Sequence, residues 1–209
     1  MSAFASMCAF LGFFFMCSRD HGTVIAFETQ ARMVLFPPYS YWLYRRSAGA
    51  DTSFTGKEPC VEIEYITYYD DTDTVWLDSR NHTKKEQWAA KMYMASVKKD
   101  ESDVLQYKPA DDEVDTAGTV EYRVLEVMQN FCYVVEKISE GVPEVFPEEG
   151  KEKVHNCELW LKKEKEVGHQ RPTYTTESLK ACKKSYDVLC MNMQPVYSKR
   201  LCDPISASK

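Results

Sequence analysis

Six cysteines, Cys60, Cys132, Cys157, Cys182, Cys190 and Cys202, constrain this chain more than any other feature. The chain has eight cysteines in all, and the other two, Cys8 and Cys17, lie in or beside an apolar leader. An even set with no C-x-x-C pair reads as three disulfides formed in an oxidising compartment, not as a zinc site. Spacing alone leaves all fifteen connectivities open.

The leader supports that compartment. Residues 3–17 form an almost uninterrupted apolar run that ends at Ser18-Arg19-Asp20. It is too short to span a bilayer as a helix and fits the apolar region of a signal peptide. We therefore expect residues 1–26 to be removed, with Val24-Ile25-Ala26 as the cleavage region, leaving residues 27–209 as a single domain. Asn81-His82-Thr83 is an N-glycosylation sequon, expected on a surface loop of a secreted protein. The net charge of −6 argues against nucleic acid or an anionic membrane as partner. It is compatible with cationic ligands and equally with ordinary solubility.

From residue 39 to about residue 163 strand patterns follow one another. Residues 60–69 alternate, Asp70-Asp71-Thr72-Asp73 form a turn, and residues 74–79 run back as a hairpin. Residues 87–98 fit a strand by their place between strands, and residues 104–107 a short one. Residues 120–128 and 131–138 form a pair joined by a tight Gln129-Asn130 link, and residues 157–163 are the last good strand. The stretches 109–115 and 141–152 read as loops. The pattern then becomes helical. Thr175 or Thr176 makes a start, and Leu179, Cys182, Tyr186, Leu189, Cys190 and Met193 recur at helical spacing until Pro195 stops the helix. About eight strands and one docked helix describe an all-β, eight-stranded antiparallel up-and-down barrel with a C-terminal α-helix packed on its wall.

Catalytic chemistry finds little support. No G-x-S-x-G, H-E-x-x-H or phosphate loop occurs. His155 lies two residues before Cys157, but a cysteine in a disulfide framework is not a free nucleophile. Neither a cofactor nor a metal is implied. The more informative strand is 157–163. Side-chain alternation puts Glu158 and Trp160 on one face and Cys157, Leu159 and Leu161 on the other. An inward Glu158 would ask for a cation or a trapped water, and Trp160 would add an aromatic face for an ammonium. By alternation alone, an exposed Glu158 beside a core-filling Trp160 fits as well.

Three stretches in order, Tyr41-Trp42-Leu43-Tyr44-Arg45, Cys60-Val61-Glu62-Ile63-Glu64 and Cys157-Glu158-Leu159-Trp160-Leu161, precede Cys182, Cys190 and Cys202. As a set, over roughly residues 39–202, they resemble the tick salivary lipocalins of the histamine-binding family. The resemblance implies a secreted monomer that sequesters a small host mediator and is not an enzyme. The first ligand class it implies is a biogenic amine such as histamine or serotonin. A lipid mediator (leukotriene, fatty acid or sterol) is the alternative, and a host immune protein such as a complement component a further one. It implies disulfides Cys60–Cys202, Cys132–Cys182 and Cys157–Cys190, and with them Leu159 and Leu161 under the helix and Glu158 and Trp160 in the lumen. Ligand positions carried over are Asp51, Phe54, Tyr107, Glu158 and Trp160. Ala48 replaces a tyrosine of amine-binding members, Lys85 lies near a glutamate position with Glu86 next to it, and Tyr133 replaces an aspartate. These losses favour a more apolar guest, and Lys85 or Arg123 could then meet a carboxylate. The acidic residues Asp111-Asp112-Glu113-Val114-Asp115 and Glu148-Glu149 are the only features that favour a protein partner. The family's short N-terminal helix has a tryptophan where this chain reads Phe27-Glu28-Thr29-Gln30-Ala31-Arg32.

Overall fold

The computed structural model describes residues 29–48, 54, 58–82, 88–110, 118–128, 131–138, 156–163 and 175–206. The expected leader and cleavage region, Asp51, Lys85, Glu86, the acidic loops, the Gln129-Asn130 link and His155 lie outside these residues.

Eight strands close an antiparallel barrel: β1 (Tyr41–Ser47), β2 (Glu62–Tyr69), β3 (Thr74–His82), β4 (Trp88–Lys98), β5 (Glu101–Pro109), β6 (Val120–Met128), β7 (Cys132–Ile138) and β8 (Cys157–Lys162). Each pairs with the next in sequence, β8 pairs with β1, and β1 pairs with β2 to complete the circle. The β2–β3 hairpin turns where the sequence concentrates aspartates, and Asp73 adopts φ 50°, a left-handed conformation that Asp tolerates well. β5 is longer than the expected 104–107 because Glu101 to Pro109 finds partners on β4 and β6.

A short helix, α1 (Gln30–Leu35), precedes β1, its N-terminus capped by the Thr29 hydroxyl, which accepts from the Arg32 amide. Ala31, Val34 and Leu35 join the barrel core and close one end without the family's tryptophan. Phe36 packs edge-on against Tyr68 at 4.9 Å, and Arg32 pairs with Asp73 in the hairpin turn.

The C-terminal helix, α2 (Thr176–Leu189), starts at the Thr175 cap. It ends at Cys190, five residues short of the expected stop at Pro195, because Cys190 turns into extended backbone and bonds to the barrel wall. Met193, expected on the helix, instead opens a ninth strand, β9 (Met193–Pro195), which pairs with β1 outside the barrel. A last helix, α3 (Lys199–Ser206), follows.

The interior divides by strand parity. Leu43, Val75, Leu77, Tyr93, Leu105, Tyr107, Tyr122, Tyr133, Val135 and Trp160 face inward with the α1 residues. Cys157, Leu159 and Leu161 face outward and pack with Cys132, Cys182, Tyr186 and Cys190 under α2. A third cluster joins Trp42, Cys60, Tyr197 and Cys202 outside the seam.

Three disulfides bind the C-terminal segment to this wall: Cys60–Cys202, Cys132–Cys182 and Cys157–Cys190, the pairs the resemblance implies. The first spans 142 residues of sequence and on a chain-entropy argument contributes on the order of 5 kcal/mol. Asn81 differs from expectation. It sits in β3 opposite Ala89 with 4% exposure, not on a surface loop, so the folded barrel hides the sequon's acceptor nitrogen.

Replacing Cys60 and Cys202 together by alanine should lower the unfolding free energy by about 2–5 kcal/mol in urea titrations followed by tryptophan fluorescence. An unchanged midpoint would mean that the seam holds without that bond.

Candidate functional site

The candidate site is the barrel interior, and its most unusual group is Glu158. β8 lies between β7 and β1, with Glu158 opposite Val135 on one side and Arg46 on the other. Its side chain is 1% exposed and faces the lumen. The Tyr122 hydroxyl donates to one carboxyl oxygen at 3.1 Å, and Trp160 Nε1 donates to the other at 3.0 Å. Burial pushes the carboxyl's pKa up to about 7, while these two hydrogen bonds, and then Lys137 and Arg46, act in the opposite direction. Protonation and two donors thus meet the cost of an inward carboxyl, where the sequence suggested a cation or a water.

Around it stands a wall of aromatic rings. Phe54, from the β1–β2 connection, stacks on Tyr122 at 5.7 Å with planes 6° apart. It meets Tyr93, Tyr107 and Trp160 edge-on at 5.2, 4.9 and 5.8 Å. Tyr133 stacks on Trp160 at 6.3 Å and meets Tyr41 edge-on at 4.8 Å. Burial raises the pKa of Tyr107, Tyr133 and Tyr41. They are therefore neutral hydroxyls at physiological pH. Between α1 and the barrel, a cavity of about 10 Å³ is lined by Val34, Tyr39, Tyr41, Tyr65, Tyr107 and Tyr133, among others. That is room for about one water.

Of the carried-over ligand positions, the structure brings together Phe54, Tyr107, Glu158 and Trp160. Trp160 turns its N–H edge, not an open face, toward the carboxyl. Ala48 is an exposed residue at the end of β1, and Tyr133 lies in the core.

Arg123 does not enter the lumen. Tyr122 takes the inward position, so Arg123 points outward, 3.5 Å from Asp103, 3.8 Å from Glu136 and 4.0 Å from Glu101. The cations on the lumen face are others. Arg46, 2% exposed, is the cross-strand neighbour of Glu158, and Lys137 stands opposite Tyr122. Arg46 escapes a simple count because β1 shifts register between Leu43 and Arg45, which turns Arg46 inward. Tyr122 and Tyr93 are the other wall residues that sequence reasoning missed. Alternation along β6 would have found Tyr122 once Val124 was placed inside.

The Cys157–Cys190 disulfide removes the Cys157 thiol from nucleophilic chemistry. Among the described residues, no group of three or more His, Cys, Asp or Glu is placed to hold a metal. No described helix is long and apolar enough to cross a membrane.

No protein-family model matches the sequence, and no curated protein matches it. Solved structures do. Apocrustacyanin C2 is 9% identical over 80% of this chain and 81% of that one, with a TM-score of 0.51. H1 crustacyanin from the lobster Homarus americanus is 9% identical over 81% of each chain, also at 0.51. The fold is that of the lipocalins. Japanin from Rhipicephalus appendiculatus, in a structure bound to cholesterol, is 16% identical over 78% of this chain and 94% of that one, with a TM-score of 0.47.

The raised pKa of Glu158 has a consequence for stability. Its folded value, about 7, exceeds the unfolded value near 4.5, so the folded state binds the extra proton. The contribution of this group is fully present below pH ~4.5 and is lost as pH rises through about 7. Relative to Glu158→Gln, the wild type should lose on the order of 2–3 kcal/mol between pH 4.5 and pH 8 in urea unfolding. Parallel pH profiles would show that Glu158 is not a neutral buried acid.

Proposed function

We propose that the chain is a secreted lipocalin that sequesters a small host mediator in its barrel and carries out no catalysis. The first ligand class is a biogenic amine such as histamine or serotonin. The observation that carries this reading is the inward Glu158, held by Tyr122 and Trp160 at the edge of an aromatic wall. An ammonium brought next to that carboxyl would draw it to its ionised form, and flat aromatic walls suit the ring of such an amine. Three disulfides support export to an oxidising compartment, and residues 1–26 fit the signal that would direct it there. Asp51 would be a second acidic ligand.

A second reading has its own observation. Arg46 and Lys137 share the lumen face with Glu158, and most of the described inner wall is apolar or phenolic, with Ser79 and Asn81 of β3 and Lys162 of β8 as further polar positions. That combination suits a lipid mediator with a carboxylate head and an apolar body.

The two readings separate by pH. Calorimetric titration of residues 27–209, with disulfides formed, should detect histamine or serotonin binding that strengthens about tenfold from pH 6 to pH 8. Glu158 ionises over that range, and Glu158→Gln should abolish the binding. A fatty acid bound through the cations would show the reverse: retention or improvement in Glu158→Gln, and weakening by about tenfold in Arg46→Gln. Heat from neither ligand at either pH would overturn sequestration of a small mediator of these classes.

A further inference from the structure

Phe54 occupies the centre of the aromatic wall without belonging to it. Tyr93, Tyr107, Tyr122 and Trp160 come from strands β4, β5, β6 and β8, and each is fixed by a hydrogen-bonded ladder. Phe54 comes from the connection between β1 and β2, and its ring is 6% exposed. One face lies on Tyr122, and three further rings meet it nearly at right angles, at 87° to 90°. Offset stacking on one side and perpendicular edges on the others is how a recognition cage holds a flat ring. Four rings thus stand at contact distance around it.

Two of those walls, Tyr122 and Trp160, are also the two residues that donate hydrogen bonds to Glu158. A ring in this position therefore stands one side chain from the single buried carboxyl of the described lumen. We propose that Phe54 is an internal surrogate for the ligand. The mediator would carry a flat, ring-sized apolar group that displaces the Phe54 side chain from the cage, with a short polar arm reaching toward Glu158. This rests on the reading of the lumen as a binding site and adds to it both the shape of the guest and a competitor within the chain. Affinity is then set by the difference between two occupants of one cage. A guest with no such group, or one too bulky for it, leaves Phe54 in place and binds poorly.

The test uses two probes with the same ring and opposite charge, phenethylamine and 3-phenylpropionate, so that it does not depend on the sign of the natural ligand. Phe54 is replaced site-specifically by 4-fluorophenylalanine, and its fluorine resonance is followed by NMR while calorimetry reports occupancy. The resonance should start strongly shifted by the surrounding rings and move to a solvent-exposed position as at least one probe saturates. Removal of the competitor should tighten that probe's binding about tenfold to a hundredfold in Phe54→Ala, the factor that burial of one phenyl group corresponds to. Phe54→Leu, a smaller change to the packing, should give a lesser gain in the same direction. Saturation with the fluorine resonance unmoved, or equal affinity in wild type and both variants, would make Phe54 a fixed wall and overturn the proposal while leaving the binding site intact. Absence of binding by either probe to every protein would overturn the lumen reading itself, and the surrogate with it.

Discussion

The barrel closes where β1 meets β2, and the interior exists only because that seam is held. β1 pairs with β8 at five positions but with β2 only at Tyr41↔Ile63 and Trp42↔Glu62. Side chains supply what the ladder lacks. Ser40, just ahead of β1, accepts the Lys163 amide on its carbonyl and the Tyr65 amide on its hydroxyl, so one residue ties β8 and β2 together. Lys163 Nζ then donates to Glu62 at 2.6 Å, with both side chains almost wholly excluded from solvent, and lies 4.8 Å from the Trp42 ring. Desolvation takes back most of the Coulomb gain of such a pair, so its main effect is on specificity. A slipped register would leave a charge buried alone, which costs far more than the pair contributes. The Cys60–Cys202 disulfide covers the same seam from outside.

Closure of that seam is what makes the lumen chemically unusual. Arg46 and Glu158 face each other across β1 and β8, so the strand that completes the barrel also brings a cation to the buried carboxyl. The shift in register after Leu43 turns a continuous strand into one whose first half contributes apolar filling and whose second half contributes charge. On the outer side of the same strands, the disulfides of Cys132 and Cys157 pin α2 over Leu159 and Leu161. The wall thus has one apolar face committed to the helix and one committed to the interior, and Glu158 with Arg46 and Lys137 interrupts the apolar character of the inner one.

How much of this was legible depends on which physical rule each residue obeys. Strand existence followed alternation, and the β2–β3 hairpin followed its aspartate-rich turn, because both are local. Period two puts Glu158 and Trp160 on one face of a strand that runs without a shift, but alternation leaves open which face is inside, and only the resemblance pointed them into the lumen. Arg46 and Arg123 could not be placed in the same way: one sits beyond a register shift, and the other depends on which of two adjacent large residues, Tyr122 or Arg123, packs inside. The end of α2 was misplaced because proline chemistry suggested Pro195, whereas the Cys157–Cys190 bond and the β1 edge took the chain first. The sequon at Asn81 reads as a surface signal only until β3 and β4 pair around it. The pairing of the six cysteines was readable by resemblance alone, since nothing in their spacing selects it.

Under the proposed function, the sign of a ligand's charge would turn on a balance around Glu158 rather than on Glu158 alone. Two unit charges about 4 Å apart interact by about 4 kcal/mol at an effective dielectric constant of about 20. An ammonium next to an ionised carboxyl would gain on that scale, but it must first ionise a group that burial holds near neutrality at pH 7. It also meets the fields of Arg46 and Lys137, which already favour the carboxylate form. A carboxylate guest meets the opposite balance: two favourable cations, and a Glu158 that must stay protonated to avoid repulsion, which the same burial encourages. The aromatic cage is indifferent to this choice, because stacking and edge contacts hold a flat ring whatever charge its arm carries. In the proposed site, selectivity for shape and selectivity for charge would therefore be separable, the first set by the walls around Phe54 and the second by the proton on Glu158.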